Sequence, residues 1–344
     1  MATNYKLADS NRHSQALTEA NVIQKTVKKS FFKTSRNRTV YYELDYRDNT
    51  EVVVFLNGLA DSIESWAPVK SYLSDNQSTL FIDLIGQGKS LDEEIAASNG
   101  KELDFVISVD EQAQAVKEVW DSLKIKTKFH LLGFSYGGGV AIRTATLFPD
   151  LIDKLILFLP YIIRLDLAFP IQRIWAGQMG FLKNLNMFKP QMSVLGDGYK
   201  KMIRDYMNFR FSKHIPDNNI RRVSMDLTEG IMPFNAFEYF DLLPDHSVHL
   251  ITVEHDTLVP KSLYYEIWTR LPDSKKSSWL NIKDGEHLIF EQAPLYCAQW
   301  IEKILKFKKQ SSPRTFEGNS YRMETREKPE NAPYPPFSPH SKIS

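Results

Sequence analysis

The sequence predicts an α/β fold: a mainly parallel central sheet flanked by helices, with a helical insertion. Three observations carry this. Short apolar runs of β-branched residues alternate with segments of helical periodicity. One stretch, from residue 161 to 245, breaks the alternation with no convincing strand. And a serine stands between glycines at the junction of a strand and a helix, in "LLGFSYGGGVAI" (131–142).

Taken in order, residues 1–21 are a polar arm without the apolar stretch of a secretory leader. "VIQKTVKKSFF" and "TVYYELDY", on either side of "KTSRNR", alternate apolar and polar residues and predict two antiparallel strands. "EVVVFL" (51–56) is a continuous apolar run, as expected of a strand covered on both faces. "TLFIDL" (79–84), "KFHLLGF" (128–134), "KLILFLP" (154–160), "VHLITVE" (248–254) and "SSWLNI" (277–282) predict further strands. "VDEQAQAVKEVWDSL" (109–123) places Ala113, Val116, Val119 and Trp120 on one helical face, with acids in its first turn. "KSLYYEIWTRL" and "PLYCAQWIEKILKF" are also helical.

These elements divide the chain into a flexible arm (1–21), a core in two pieces (22–160 and 246–308), a helical cap (161–245) and a Pro-rich tail (309–344) expected to lack structure. The 344 residues carry 43 Lys and Arg against 42 Asp and Glu, a balance that gives no electrostatic reason to expect nucleic acid. A single cysteine, Cys297, excludes an intrachain disulfide and is expected to be a buried packing residue. No apolar run reaches the ~18 residues of a membrane span, and the expected location is the cytoplasm.

In the G-x-S-x-G of "GFSYGG" the glycines leave room for a sharp turn that lifts the Ser135 hydroxyl above the carboxyl edge of the sheet. The helix begins at once, so its first amides face any developing oxyanion. A serine needs a base, and the base needs an acid to orient it. "ITVEHDTLVP" supplies Asp256 just past a strand, and "NIKDGEHLIFEQAP" supplies His287 past the next. Asp166 and Glu254 compete for the acid's role; Glu254 is still within the strand. His130 falls inside a strand and is expected to be a satisfied core residue. His246, His249 and His255 match no zinc spacing, and no metal is called for. Asp83 and Ser90 are expected to be turn and capping residues, and Asp61 and Glu64 to be solvated.

Four motifs, "FLNGLADSIESW" (55–66), "FIDLIGQGKS" (81–90), "GFSYGG" (133–138) and the pair "EHDTLVP" with "GEHLIFEQAP", resemble the α/β-hydrolase superfamily, in particular its capped esterases, lipases and carbon–carbon bond hydrolases. The resemblance spans about residues 25 to 308. It implies Ser135 as nucleophile, His287 as general base, Asp256 as the acid that holds it, and the amides of Tyr136 and Leu59 as the oxyanion hole, with no cofactor. The sequence departs from the family where Asn57-Gly58 replaces a frequent His-Gly, and where Val253 stands at a frequent glycine.

The expected activity is hydrolysis of a carboxylic ester with a hydrophobic acyl or aryl group through an acyl-enzyme. Acyl transfer and carbon–carbon cleavage use the same residues, and a ligand-binding or partner-docking role is the alternative of another class. Trp175, Phe181 and Phe234 are candidate substrate-binding residues of the cap. Around Trp175 the cap is basic and amphipathic, a pattern that suits either a pocket roof or peripheral contact with a lipid surface. The oligomeric state is left open.

Overall fold

The computed structural model describes residues 25–48, 50–162, 215, 217–231, 233–256, 258–259, 261–283, 285–307 and 314–318, with 316–318 described by their backbone alone. Among the described residues nine strands form one sheet: β1 (Lys25–Lys33), β2 (Thr39–Arg47), β3 (Val52–Leu56), β4 (Ser78–Asp83), β5 (Phe129–Phe134), β6 (Ile152–Phe158), β7 (Val248–Val253), β8 (Lys276–Ile282) and β9 (Arg314–Gly318). Their order across the sheet is β1-β2-β4-β3-β5-β6-β7-β8-β9. The β1–β2 and β2–β4 pairs are antiparallel and all others parallel.

The helices are α1 (Ala67–Lys70), α2 (Gly88–Ala97), α3 (Val109–Ser122), α4 (Tyr136–Leu147), α5 (Asn218–Ile231), α6 (Lys261–Arg270), α7 (Ile289–Gln292) and α8 (Pro294–Leu305). None of the described helices is long and apolar enough to cross a membrane.

The predicted strands all form. Every residue of β3, β4, β5 and β7 is buried, as the unbroken apolar runs require of strands with helices on both faces. Helix α3 opens on Ser108, whose side chain accepts the Glu111 amide, and buries Ala113, Val116, Val119 and Trp120. Cys297 is buried in α8.

One element corrects the expectations and another adds to them. Arg314–Gly318 forms β9 in register with β8, inside the tail expected to lack structure. Its backbone donors and acceptors are satisfied by the free edge of β8, a partner remote in sequence. Helix α2 follows a glycine-rich turn; there the Asp83 carboxylate accepts the amides of Ile63 and Lys89, and Ser90 Oγ donates to the Asp83 carbonyl. Asp83 and Ser90 therefore hold the turn, as expected.

The strand order turns around at β3, flanked by β4 on one side and β5 on the other. The carboxyl edge at such a switch point is where open α/β sheets leave a crevice. The loops after β3, β5, β7 and β8 all open there.

Candidate functional site

Ser135 sits between β5 and α4 with φ 49° and ψ −114°. A positive φ is costly for a residue with a side chain, and the surroundings enforce it. The Ser135 amide donates to the Phe158 carbonyl, and its carbonyl accepts from the amides of Gly138 and Tyr161. Two glycines make the turn sterically feasible. A Cβ on Gly137 would lie 2.6 Å from the Asn57 carbonyl oxygen, and one on Gly138 would lie 2.6 Å from Pro160 Cβ. The third glycine of the motif therefore makes room for the chain leaving β6.

The serine meets the two residues paired with it from the sequence. His287 Nε2 lies 3.1 Å from Ser135 Oγ, and His287 Nδ1 lies 2.7 Å from Asp256 Oδ2. An ionised carboxylate only accepts, so Nδ1 carries the proton and Nε2 is left to accept from the serine hydroxyl. Asp256 Oδ1 accepts the amides of Leu258 and Val259, both at 2.8 Å. Burial on its own would raise the Asp256 pKa. The hydrogen bonds from His287, Tyr264 and the Val259 amide outweigh it and hold the carboxyl below its usual range.

Of the rival acids, Glu254 does not take this place. Glu254 pairs with Lys261 and accepts from Asn281 Nδ2 at 2.9 Å, and Asp166 lies outside the described residues. The His287 ring packs against Phe134, with centroids 5.1 Å apart, over a cluster of Trp66, Phe158 and Phe290. Phe134 thus backs the imidazole with a packed aromatic cluster. Val253 is accommodated by Gly285, where a Cβ would lie 2.5 Å from Val253 Cγ1.

The loop after β3 passes directly beside the serine: a Cβ on Gly58 would stand 3.6 Å from Ser135 Cβ. Leu59 follows in that loop. Tyr136 opens α4, so its amide is among those with no acceptor inside the helix. Asn57, in place of the family's histidine, donates from Nδ2 to the Asp61 carbonyl at 2.7 Å and to Gln87 Oε1 at 3.1 Å, which pins the loop.

Asp61 departs from its expected solvation. Its Oδ1 accepts from the Ser62 amide and the Ser65 hydroxyl, while Oδ2 is buried without a partner. Burial pushes its pKa up to about 6 against those hydrogen bonds. The sequence hid this because the loop folds Asp61 back on itself. Glu64 is exposed and paired with Lys89.

Of the cap candidates, Phe234 is buried, stacks on Tyr239 at 5.6 Å and lies against Gly139 of α4. Trp175 and Phe181, with the basic amphipathic stretch around them, lie outside the described residues. His249 bonds Ser278 Oγ at 2.8 Å in the core. Among the described residues, three candidate metal ligands converge at Glu51, His130 and Asp153, not at His246, His249 and His255. That group is at the opposite, amino edge of the strands, and Lys154 Nζ is 3.0 Å from Asp153 Oδ2. An ammonium there already neutralises the oxygen a cation would need.

The family model for the alpha/beta hydrolase fold matches residues 51–294, and the chain belongs to that family. A curated relative from Pseudomonas sp., 2-hydroxy-6-oxononadienedioate/2-hydroxy-6-oxononatrienedioate hydrolase, is 30% identical over 117 residues, covering 33% of this chain and 38% of the relative. The chain thus spans little more than a third of the length of that protein, and 36% of the length of the first curated relatives matched. Among solved structures, an alpha/beta hydrolase enzyme from a Medee basin deep-sea metagenome library superposes with a TM-score of 0.58 at 19% identity, covering 82% of this chain and 98% of that one. The enol-lactonase from Burkholderia xenovorans LB400 superposes with a TM-score of 0.56 at 15% identity, covering 81% and 100%. Likeness at these identities is a likeness of fold.

Proposed function

We propose that the protein is a serine hydrolase of carboxylic esters bearing a hydrophobic acyl or aryl group. The observation that carries this is the hydrogen-bonded chain Ser135–His287–Asp256 at the carboxyl edge of the sheet. Ser135 Oγ attacks the ester carbonyl as His287 Nε2 takes its proton. The tetrahedral oxyanion is held by the amides of Tyr136 and Leu59. His287 returns the proton to the leaving alcohol, and an acyl-enzyme remains. Water, deprotonated by the same nitrogen, attacks the acyl carbon and releases the acid. Asp256 keeps the imidazole oriented and stabilises its charged form. No step calls for a cofactor.

In this reading residues 161–245 form a cap over the site, with Trp175, Phe181 and Phe234 as its apolar contributions. Described parts of that segment, α5 and the 3-10 helix Ala236–Leu242, follow β6 and precede β7. The reading goes with a cytoplasmic location and no nucleic-acid partner; the cap serves as a pocket roof, with peripheral contact to a lipid surface as the alternative.

Hydrolysis of p-nitrophenyl esters from C2 to C16 by wild type and Ser135→Ala tests the proposal. Activity that falls by about three orders of magnitude or more in the variant is expected. Equal activity in the two proteins would overturn it. The Pseudomonas relative named for hydrolysis of an oxo-dienedioate favours one second reading, carbon–carbon cleavage by the same three residues. Turnover of a vinylogous diketone, without turnover of esters, would select it.

A further inference from the structure

Asp256 has a fourth partner that the proposed mechanism does not use. Tyr264, the fourth residue of α6 and 1% exposed, donates its hydroxyl to Asp256 Oδ2. This is the oxygen that accepts His287 Nδ1–H. The other oxygen, Oδ1, is taken by the amides of Leu258 and Val259. A carboxylate offers about four lone-pair sites, so all of them are engaged. Burial and the adjoining charge of Asp256 push the Tyr264 phenol well above its usual range. It therefore stays protonated and remains a donor at every pH the protein meets.

The ring alone does not account for this hydroxyl. A phenylalanine would fill the same core volume, and a buried tyrosine needs only some acceptor for its O–H. Here the acceptor is the single oxygen that faces the base. Two donors on one oxygen draw on the same electron density, so each weakens what the other receives. Asp61, in the loop after β3, is a second acid whose charge interacts with that of His287. Tyr264 acts on His287 through Asp256.

We propose that Tyr264 is a positioning residue: it fixes Asp256 Oδ2 and moderates the negative charge that Asp256 presents to His287. This rests on the serine-hydrolase reading above. A residue of this kind sets the pH at which the base becomes free and the geometry in which it works. It makes no contact with substrate.

The experiment compares wild type, Tyr264→Phe and Ser135→Ala. In Y264F the acid limb of kcat/KM for p-nitrophenyl butyrate moves to higher pH by about half a unit, the roughly threefold change in proton affinity that one net hydrogen bond gives. The low-field proton resonance of His287 Nδ1–H moves further downfield, since its acceptor oxygen is no longer shared. In wild type, a cross-peak joins that proton to the Tyr264 hydroxyl proton, a measurement that needs neither a variant nor a substrate. A lowered melting temperature in Y264F with the limb and the resonance unmoved, or the absence of the cross-peak, would show a purely structural tyrosine and overturn the proposal. Failure of the ester-hydrolase reading is seen separately: Ser135→Ala then turns over p-nitrophenyl butyrate as fast as wild type, while the two resonance measurements still decide the role of Tyr264.

Discussion

The sheet has a histidine in carboxylate company at each of its two edges, carboxyl and amino, and only one of the two is built for chemistry. At the carboxyl edge, His287 has one carboxylate on Nδ1 and a hydroxyl on Nε2. At the amino edge, His130 has Glu51 Oε2 at 2.9 Å from Nε2 and Asp153 Oδ2 at 3.4 Å from Nδ1. Burial, and next the Lys154 charge, lower the His130 pKa. Neither ring nitrogen of His130 faces a group with a proton to give up. A base needs one nitrogen fixed and the other free to accept; acids on both sides make a structural imidazole. The backbone differs as well. A strained Ser135 (φ 49°) faces His287, whereas the strands around His130 run in regular parallel pairing with one register shift at Phe129/His130.

The largest effect that divides the two ends belongs to Asp256→Asn. It leaves the packing in place but removes the charge that holds the Nδ1–H tautomer, so kcat on p-nitrophenyl butyrate falls by about 10³–10⁴-fold. A fall of less than tenfold would put the acid elsewhere.

A smaller effect belongs to the amino edge and is read in stability. His249, buried beside His130, has its pKa pushed down from 6.5 to about 3 by burial and then by Lys154. The unfolded chain therefore binds the proton first as pH falls from 6.5 towards 3, and stability is lost across that window. In His249→Asn the drop in melting temperature between pH 7 and pH 5 shrinks by a few degrees, an effect of about 2 kcal/mol. Calorimetry at the two pH values checks it; parallel curves for wild type and variant would remove His249 from the account. The smallest effect is that of His130→Gln on catalysis. Esterase activity stays within about twofold of wild type, since the site lies at the other end of β5, while the melting temperature falls. A loss of tenfold or more in kcat at full folding would mean that the two ends are coupled.

Much of this division can be read from the sequence. The parallel strands show as unbroken apolar runs because helices cover both faces. Asp256 and His287 show because each follows a strand end, where the sheet's carboxyl edge gathers loops. What stayed hidden depends on partners far away in the chain. Strand β9 is a short polar stretch, "RTFEG", that exists as a strand only because β8 offers an open edge. Helix α2 begins in a glycine turn that resembles a loop. The burial of Asp61 Oδ2 goes with a loop doubling back on Ser62 and Ser65. Tyr264 looks like an ordinary apolar-face residue of a helix, and its hydroxyl acquires meaning only when α6 packs against the exit of β7.

The most direct test of the central claim is covalent labelling with a fluorophosphonate, followed by peptide mass spectrometry. A single adduct on Ser135 is expected, formed at the wild-type rate in His130→Gln and lost in Ser135→Ala and His287→Ala. An adduct on any other residue, or labelling of Ser135 that is as fast without His287 as with it, would contradict the account.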